Sequence, residues 1–256
     1  MPAPIVLDPA KIQETLQQLC ARIEERFPGS GLARLGAQIL DVARASAARV
    51  EFIRAPKPLL RAASGVLLLA MGALLWFAAI HARPLPGTID PLDLVQAIEA
   101  TLSALALLGV TVLFLTTLES RMKRRKALDA LQELRVLAHV IDMHQLSKDP
   151  ERTQAGFVST SASPKVLLTP FELNRYLHYC TDLLALVGKI AAFYVASFQD
   201  EVVLAAVNEI EDLTNGLSRK IWQKLMLLDQ ITSDEEEDAR RGDGPGEARR
   251  HATDAP

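Results

Sequence analysis

Two stretches decide the fold: Ala62–Ile80, AASGVLLLAMGALLWFAAI, and Ala100–Leu118, ATLSALALLGVTVLFLTTL. Neither contains a charged residue. Each is close to the roughly 20 residues a helix needs to cross the hydrocarbon core of a bilayer. Arg121, Lys123, Arg124, Arg125 and Lys126 follow the second stretch at once, and Arg44, Arg49, Arg54, Lys57 and Arg61 precede the first. Between the two, Arg83 is the only lysine or arginine. Basic residues mark the cytoplasmic side of membrane spans. The sequence therefore predicts a two-span transmembrane helical hairpin with both termini in the cytoplasm.

The details of the two runs agree with that topology. Trp76 and Phe77 sit at the far end of the first, where aromatic side chains collect at membrane interfaces. Pro84, Pro86, Gly87 and Pro91 cannot continue a helix, so a short external turn is expected there. Gly65 and Gly72 in the first run, and Ala100, Ser103, Ala104 and Gly109 in the second, would let helices approach closely. Glu99 falls just before the second run. With the span beginning at Ala100 it is a carboxylate at the outer interface. With the span shifted outward it becomes a pore-lining candidate in an oligomeric transport or channel component. The layout resembles that of two-span bacterial membrane proteins, which implies an integral protein of the inner (plasma) membrane.

Outside the spans the apolar residues recur at helical spacing. Asp8-Pro9 reads as a cap and first turn, followed by Ile12, Leu16, Leu19, Cys20 and Ile23. Pro28–Gly31 breaks that helix, and a second runs to about Arg54 through Leu35, Ile39, Val42, Val50 and Ile53. After the second span no breaker appears before Pro150, so the helix should continue out of the membrane with Leu131, Leu134, Leu137, Ala138, Ile141 and Gln145 as its packing stripe. Thr169-Pro170-Phe171-Glu172 has the pattern of a capping box. It opens a helix carrying Leu173, Leu177, Cys180, Leu184, Val187, Ala191, Tyr194 and Phe198. The pattern resets at Gln199-Asp200 and resumes from Val203 to Ile231 with Lys224 in the stripe, and Asn215-Gly216 marks a possible kink.

The fold class expected is all-α: the hairpin with a cytoplasmic helical bundle of coiled-coil character. The expected divisions are an N-terminal cytoplasmic hairpin at 1–58, spans at 59–81 and 94–118, and an external loop at 82–93 between them. A cytoplasmic extension at 119–147, a loop at 148–168, C-terminal helices at 169–232 and a disordered acidic and polar tail at 233–256 complete the chain.

The chemistry sought is mostly missing. A net charge of −3 excludes a general nucleic-acid binder. There is no phosphate-binding loop, dinucleotide fingerprint, nucleophile elbow or zinc-protease helix motif, so no enzyme and no cofactor is expected. Cys20 and Cys180 lack metal or redox spacing and read as reduced thiols. His139, Asp142 and His144 are the one cluster with metal-ligand residue types. His139 and Asp142 are three apart and share a face, as a hydrogen-bonded pair or two ligands would, but His144 is five from His139 and points elsewhere. Arg175, Tyr176, Tyr179 and Cys180 form a dense polar patch in which a basic group beside the thiol would make it reactive. Arg219, Lys220, Trp222 and Lys224 form another, with Trp222 read as an anchor in the bundle. The functional expectation is a membrane-anchored scaffold or interaction protein. Its partners are the lipid bilayer and either further copies of itself or another protein, bound through the cytoplasmic helices.

Overall fold

The computed structural model describes residues 7–55, 58–81, 91–154, 157–158, 160–161 and 168–242. The protein is all-helical: among the described residues there are six α-helices, one 3₁₀ turn and no strand. The helices are α1 (Pro9–Arg26), α2 (Gly31–Arg54), α3 (Pro58–His81), α4 (Pro91–Leu146), α5 (Pro170–Ser197) and α6 (Glu201–Gly242), with the 3₁₀ turn at Pro150–Thr153. Proline opens α1, α3, α4 and α5, at the position where its missing N–H costs nothing. The chain divides into two compact units, Met1–Val50 with Leu128–Pro256, and Glu51–Ala127.

The first unit is a bundle of α1, the first part of α2, the last part of α4, α5 and α6. Asp8 caps α1 by accepting from Ala10 N–H at 2.9 Å. Ile12, Leu16, Leu19 and Ile23 are buried along one side of the helix. α1 and α2 form an antiparallel hairpin through a turn in which Gly29 takes φ +63°, a conformation glycine adopts without penalty. Gln13 donates to the Ala43 carbonyl across this hairpin at 3.3 Å. Thr169 and Glu172 make the expected capping box at the start of α5. Asp200 caps α6 by accepting from Val202 and Val203 N–H. The connection between α5 and α6 is so short that α6 must fold back along α5. Gly188 facing Thr214 shows this antiparallel register. α5 is the hub: Leu177, Cys180, Leu183, Leu184, Val187, Ile190, Ala191 and Tyr194 are completely inaccessible.

The second unit holds the last turn of α2, α3 and most of α4. Its large apolar side chains face outward: Leu69 is 75% exposed, Trp76 70% and Leu107 67%. α4 has a segment long and apolar enough to cross a membrane, none of it buried. The other helix meeting the same criterion is α5, half of whose apolar segment is packed inside the bundle. In α3 the described apolar stretch is Ala62–Leu74, shorter than that criterion asks.

Two features depart from the sequence reading. α6 runs unbroken through Asn215-Gly216, where the sequence left a kink open, and past Ser233 to Gly242, where a tail was expected. Asp234–Glu237 are exposed on it, and glutamate is a good helix former that needs no buried face. α4 begins at Pro91, inside the expected external loop. Residues 82–90 of that loop, part of the loop expected at 148–168 and residues 243–256 of the tail lie outside the described residues.

Candidate functional site

His139, Asp142 and His144 enter three different surroundings. His139 is exposed. Asp142 accepts from Gln145 Nε2 at 2.7 Å. His144 packs against the first residue of α2, so closely that a Cβ placed on Gly31 would lie 2.4 Å from His144 Cε1. Among the described residues no group of three histidine, cysteine, aspartate or glutamate side chains converges as a metal would need. Glu99 is exposed on α4.

The thiol patch on α5 is inert by environment. Cys180 is completely buried, and burial pushes its thiol up to about 12, against the weaker lowering influence of Lys148 and Lys224. A thiolate is the nucleophile, so a thiol this hard to ionise is unreactive at neutral pH. Tyr176 shares that interior, and burial raises its phenol as well. Trp222 is not the expected anchor: it is 59% exposed on the outer side of α6. Leu225 takes the core position next to it. This leaves Lys224 at the edge, where its ammonium donates to the carbonyls of Gln145 at 2.9 Å and Lys148 at 3.2 Å and pairs with Asp149 at 3.3 Å. Lys224 thus closes the C-terminal end of α4, where a cation complements the helix dipole.

Two polar constellations emerge from the packing. The first joins α2, α4 and α5. Tyr194 donates to Ser46 Oγ at 3.0 Å, and Ser46 donates in turn to the Val42 carbonyl at 2.8 Å. One turn along α2, Arg49 forms an ion pair with Glu133 at 2.5 Å. Burial raises the Tyr194 phenol, while its bond to Ser46 and the Arg49 guanidinium act in the opposite direction. Tyr194 and Ser46 lie in the core and are bonded to each other, while the Arg49–Glu133 pair is 39% and 42% exposed at its edge, an arrangement that suits a structural clamp.

The second is a cleft of about 470 Å³ between the α1–α2 turn, the C-terminal end of α4 and the chain entering α5. Arg26, His144 and Lys148 line it together with Phe27, Met143 and Leu168. Ser30 caps α2 at its edge by accepting from Ala33 N–H at 3.1 Å. Phe27 packs edge-on against Tyr176 and Tyr179, with centroids 5.4 and 6.3 Å away, and so seats the turn on α5. Lys148 lies over the Tyr176 ring at 5.1 Å. Burial first, and Arg152 second, lower the Lys148 ammonium. Burial, then Arg34 and Lys148, lower His144. Sequence reading singled out His144, Tyr176 and the Pro28–Gly31 turn but not Arg26 or Lys148, and did not join them, because the cleft is assembled from segments more than a hundred residues apart.

No protein-family model, no curated protein and no solved structure matches this chain.

Proposed function

We propose that the protein is a non-enzymatic scaffold, anchored in a bacterial inner membrane by a hairpin of α3 and α4 and presenting its bundle in the cytoplasm. The observation that carries this reading is the composite character of α4. One uninterrupted helix holds an apolar segment of which nothing is buried and, further along, a face buried in a bundle. An aqueous surface would not favour so large a patch of exposed leucine, valine and phenylalanine. A bilayer would, provided the polar groups are satisfied within the helix. Thr111 and Thr117 meet that condition by donating to the Leu107 and Leu113 carbonyls at 2.8 and 2.6 Å. Glu99 enters this reading as an outer-interface carboxylate.

The basic residues supply direction. Arg121 and Arg125 are exposed just beyond the apolar segment of α4, and Lys126 lies 3.7 Å over the Phe52 ring. Together with the flank before α3 they favour a cytoplasmic location for both ends of the hairpin.

The test combines extraction, topology and mass. The protein should stay in the membrane at alkaline pH. A cysteine placed at Thr88 in a Cys20→Ser, Cys180→Ala background should react with an impermeant thiol reagent from outside. Purification in mild detergent should yield a homo-oligomer or a defined complex with another protein. Release at alkaline pH would remove the anchor, and a monomer free of partners would remove the scaffold.

A further inference from the structure

We infer that Arg121 and Arg125, on an outward face of α4 just beyond its apolar segment, hold the phosphate of an anionic phospholipid headgroup. The inference rests on the membrane reading given above and names the class of lipid that the anchor selects. It starts from a local reversal of charge. The chain as a whole carries 31 acidic and 28 basic residues, whereas 51–61 and 119–127 together hold eight basic residues and two acidic ones. Basic clusters next to a span on its cytoplasmic side attract anionic lipid.

The structure separates the basic residues of α4 by what they do. Lys123 pairs with Glu119 at 2.9 Å, and the two side chains are only 11% and 14% exposed, so this pair serves the protein itself. Lys126 lies over the Phe52 ring. Arg121 and Arg125 are exposed, and among the described residues neither has an ion-pair or ring partner. Glu119 is committed to Lys123, and Glu51, the other acid of the two stretches, stands on α2. Residues four apart share a face of a helix, so the two guanidiniums are neighbours. Met122 is exposed beside them and continues the apolar surface toward them.

Helix geometry sets their depth. Leu118 ends the uncharged run. At a rise of about 1.5 Å per residue, Arg121 follows it by about 4.5 Å and Arg125 by about 10 Å. The polar layer on one side of a bilayer is roughly 5–8 Å thick. Side chains on a helix lean toward its N-terminus, which for the end of α4 is the membrane side. Both guanidiniums therefore reach back into the headgroup layer. Asp129, the next acid along α4, follows Leu118 by about 16 Å and stands outside that layer. A guanidinium presents a planar fork of donors that matches phosphate, and two forks one turn apart can hold one phosphodiester between them. Met122 then faces the glycerol and the first acyl carbons.

The experiment is native mass spectrometry of the full chain released from mixed micelles holding equal amounts of phosphatidylglycerol and phosphatidylcholine. Phosphatidylglycerol should be retained in preference, and less so as salt rises. Arg121→Gln and Arg125→Gln should each lower the preference about fivefold, the effect of one basic side chain at an anionic surface. Arg22→Gln, which removes a charge from the exposed side of α1, should leave it unchanged. Glycerol phosphate, the headgroup chemistry without acyl chains, should not displace the lipid. Arg121→Lys with Arg125→Lys keeps the charge that directs insertion and loses the forks, so its preference should fall between wild type and the glutamine pair even if the glutamine pair inserts poorly. The proposal is overturned if the two lipids are retained equally, if either double variant keeps the full preference, or if glycerol phosphate displaces phosphatidylglycerol. Protein that stays in the membrane at alkaline pH yet shows no preference refutes the headgroup site alone, whereas release at alkaline pH removes the anchor and this inference with it.

Discussion

α4 and α5 both contain an apolar segment of membrane-spanning length, and they use it in opposite ways. In α5 the segment is the centre of a bundle, with aliphatic side chains, a tyrosine and a cysteine shut away from solvent. In α4 none of the segment is buried. Length and apolarity alone therefore do not separate a core helix from a membrane helix. What separates them is the presence of other helices carrying complementary apolar stripes. α5 has four such neighbours in the bundle, whereas the apolar part of α4 belongs to a unit with only α3 and the end of α2.

The most severe way to break this contrast is to place the same charge on both helices. Leu184→Asp puts a carboxylate into the inaccessible interior of the bundle. It should cost at least the ~2–5 kcal/mol of truncating a core leucine, with the desolvation of the carboxylate added. A domain is stable by only ~5–15 kcal/mol, so the bundle should lose its cooperative thermal transition in circular dichroism. Leu107→Asp, on the exposed apolar part of α4, should leave that transition in place. Its effect should be on insertion, where an aspartate at mid-span costs about 2.5–3.5 kcal/mol, and it should appear as less protein in the membrane fraction. Equal damage to the bundle by both variants would mean that the α4 segment is packed against protein after all.

A finer probe uses glycine. A Cβ on Gly31 meets His144, whereas a Cβ on Gly72 or Gly109 meets nothing within 4 Å. Gly31→Ala should therefore destabilise the bundle by ~1 kcal/mol, the lower end of the cost of overpacking, because the imidazole can swing partly aside. In a His144→Ala background the sign should reverse, since alanine is the better helix former once the clash is gone. Gly72→Ala should not move the thermal transition of the bundle. Chemical denaturation of the four bundle variants provides the cycle, and a cost for Gly31→Ala that persists without His144 would show that the clash is not its cause.

The stripes of the bundle were legible because burial by neighbouring helices selects a fixed period. Leu131, Leu134, Ala138 and Ile141 on α4, and Leu173, Leu177, Leu184, Val187 and Tyr194 on α5, occupy the core as their spacing implies. The caps at Asp8 and Thr169 were legible as well, because their chemistry is local. The registers of α6 were less legible. Lys224 and Leu225 are adjacent, and only the carbonyls at the end of α4 decide which of them turns toward the core. Trp222 was misplaced for a related reason: its size suggests burial, but its position is set by Ile221 and Leu225, which take the inner face. The cleft at Arg26, Gly31 and Lys148 was not legible, because these residues carry no local motif and are brought together by the antiparallel run of α2 against α4.

The smallest expected effect is a response to acid, and the bundle should account for it. His144 has a proton affinity lowered first by burial, then by Arg34 and Lys148, from an ordinary value of 6.5. Between that value and the folded one, the unfolded chain binds more protons than the native protein, so stability falls as pH drops and levels off below the folded value. Glu172 is lowered from 4.5 first by the backbone N–H of Thr169 and then by its hydroxyl. The stability it contributes is present above 4.5 and is lost as pH falls through its folded value. Thermal midpoints should accordingly decline in two steps on acidification. His144→Gln should remove the first step and Glu172→Gln the second, each without changing the other. Both groups are partly open to water, so each step should be shallow. If the first step survived His144→Gln, the acid response would originate outside the contact between α2 and α4, and the neutral imidazole would have no part in holding that contact together.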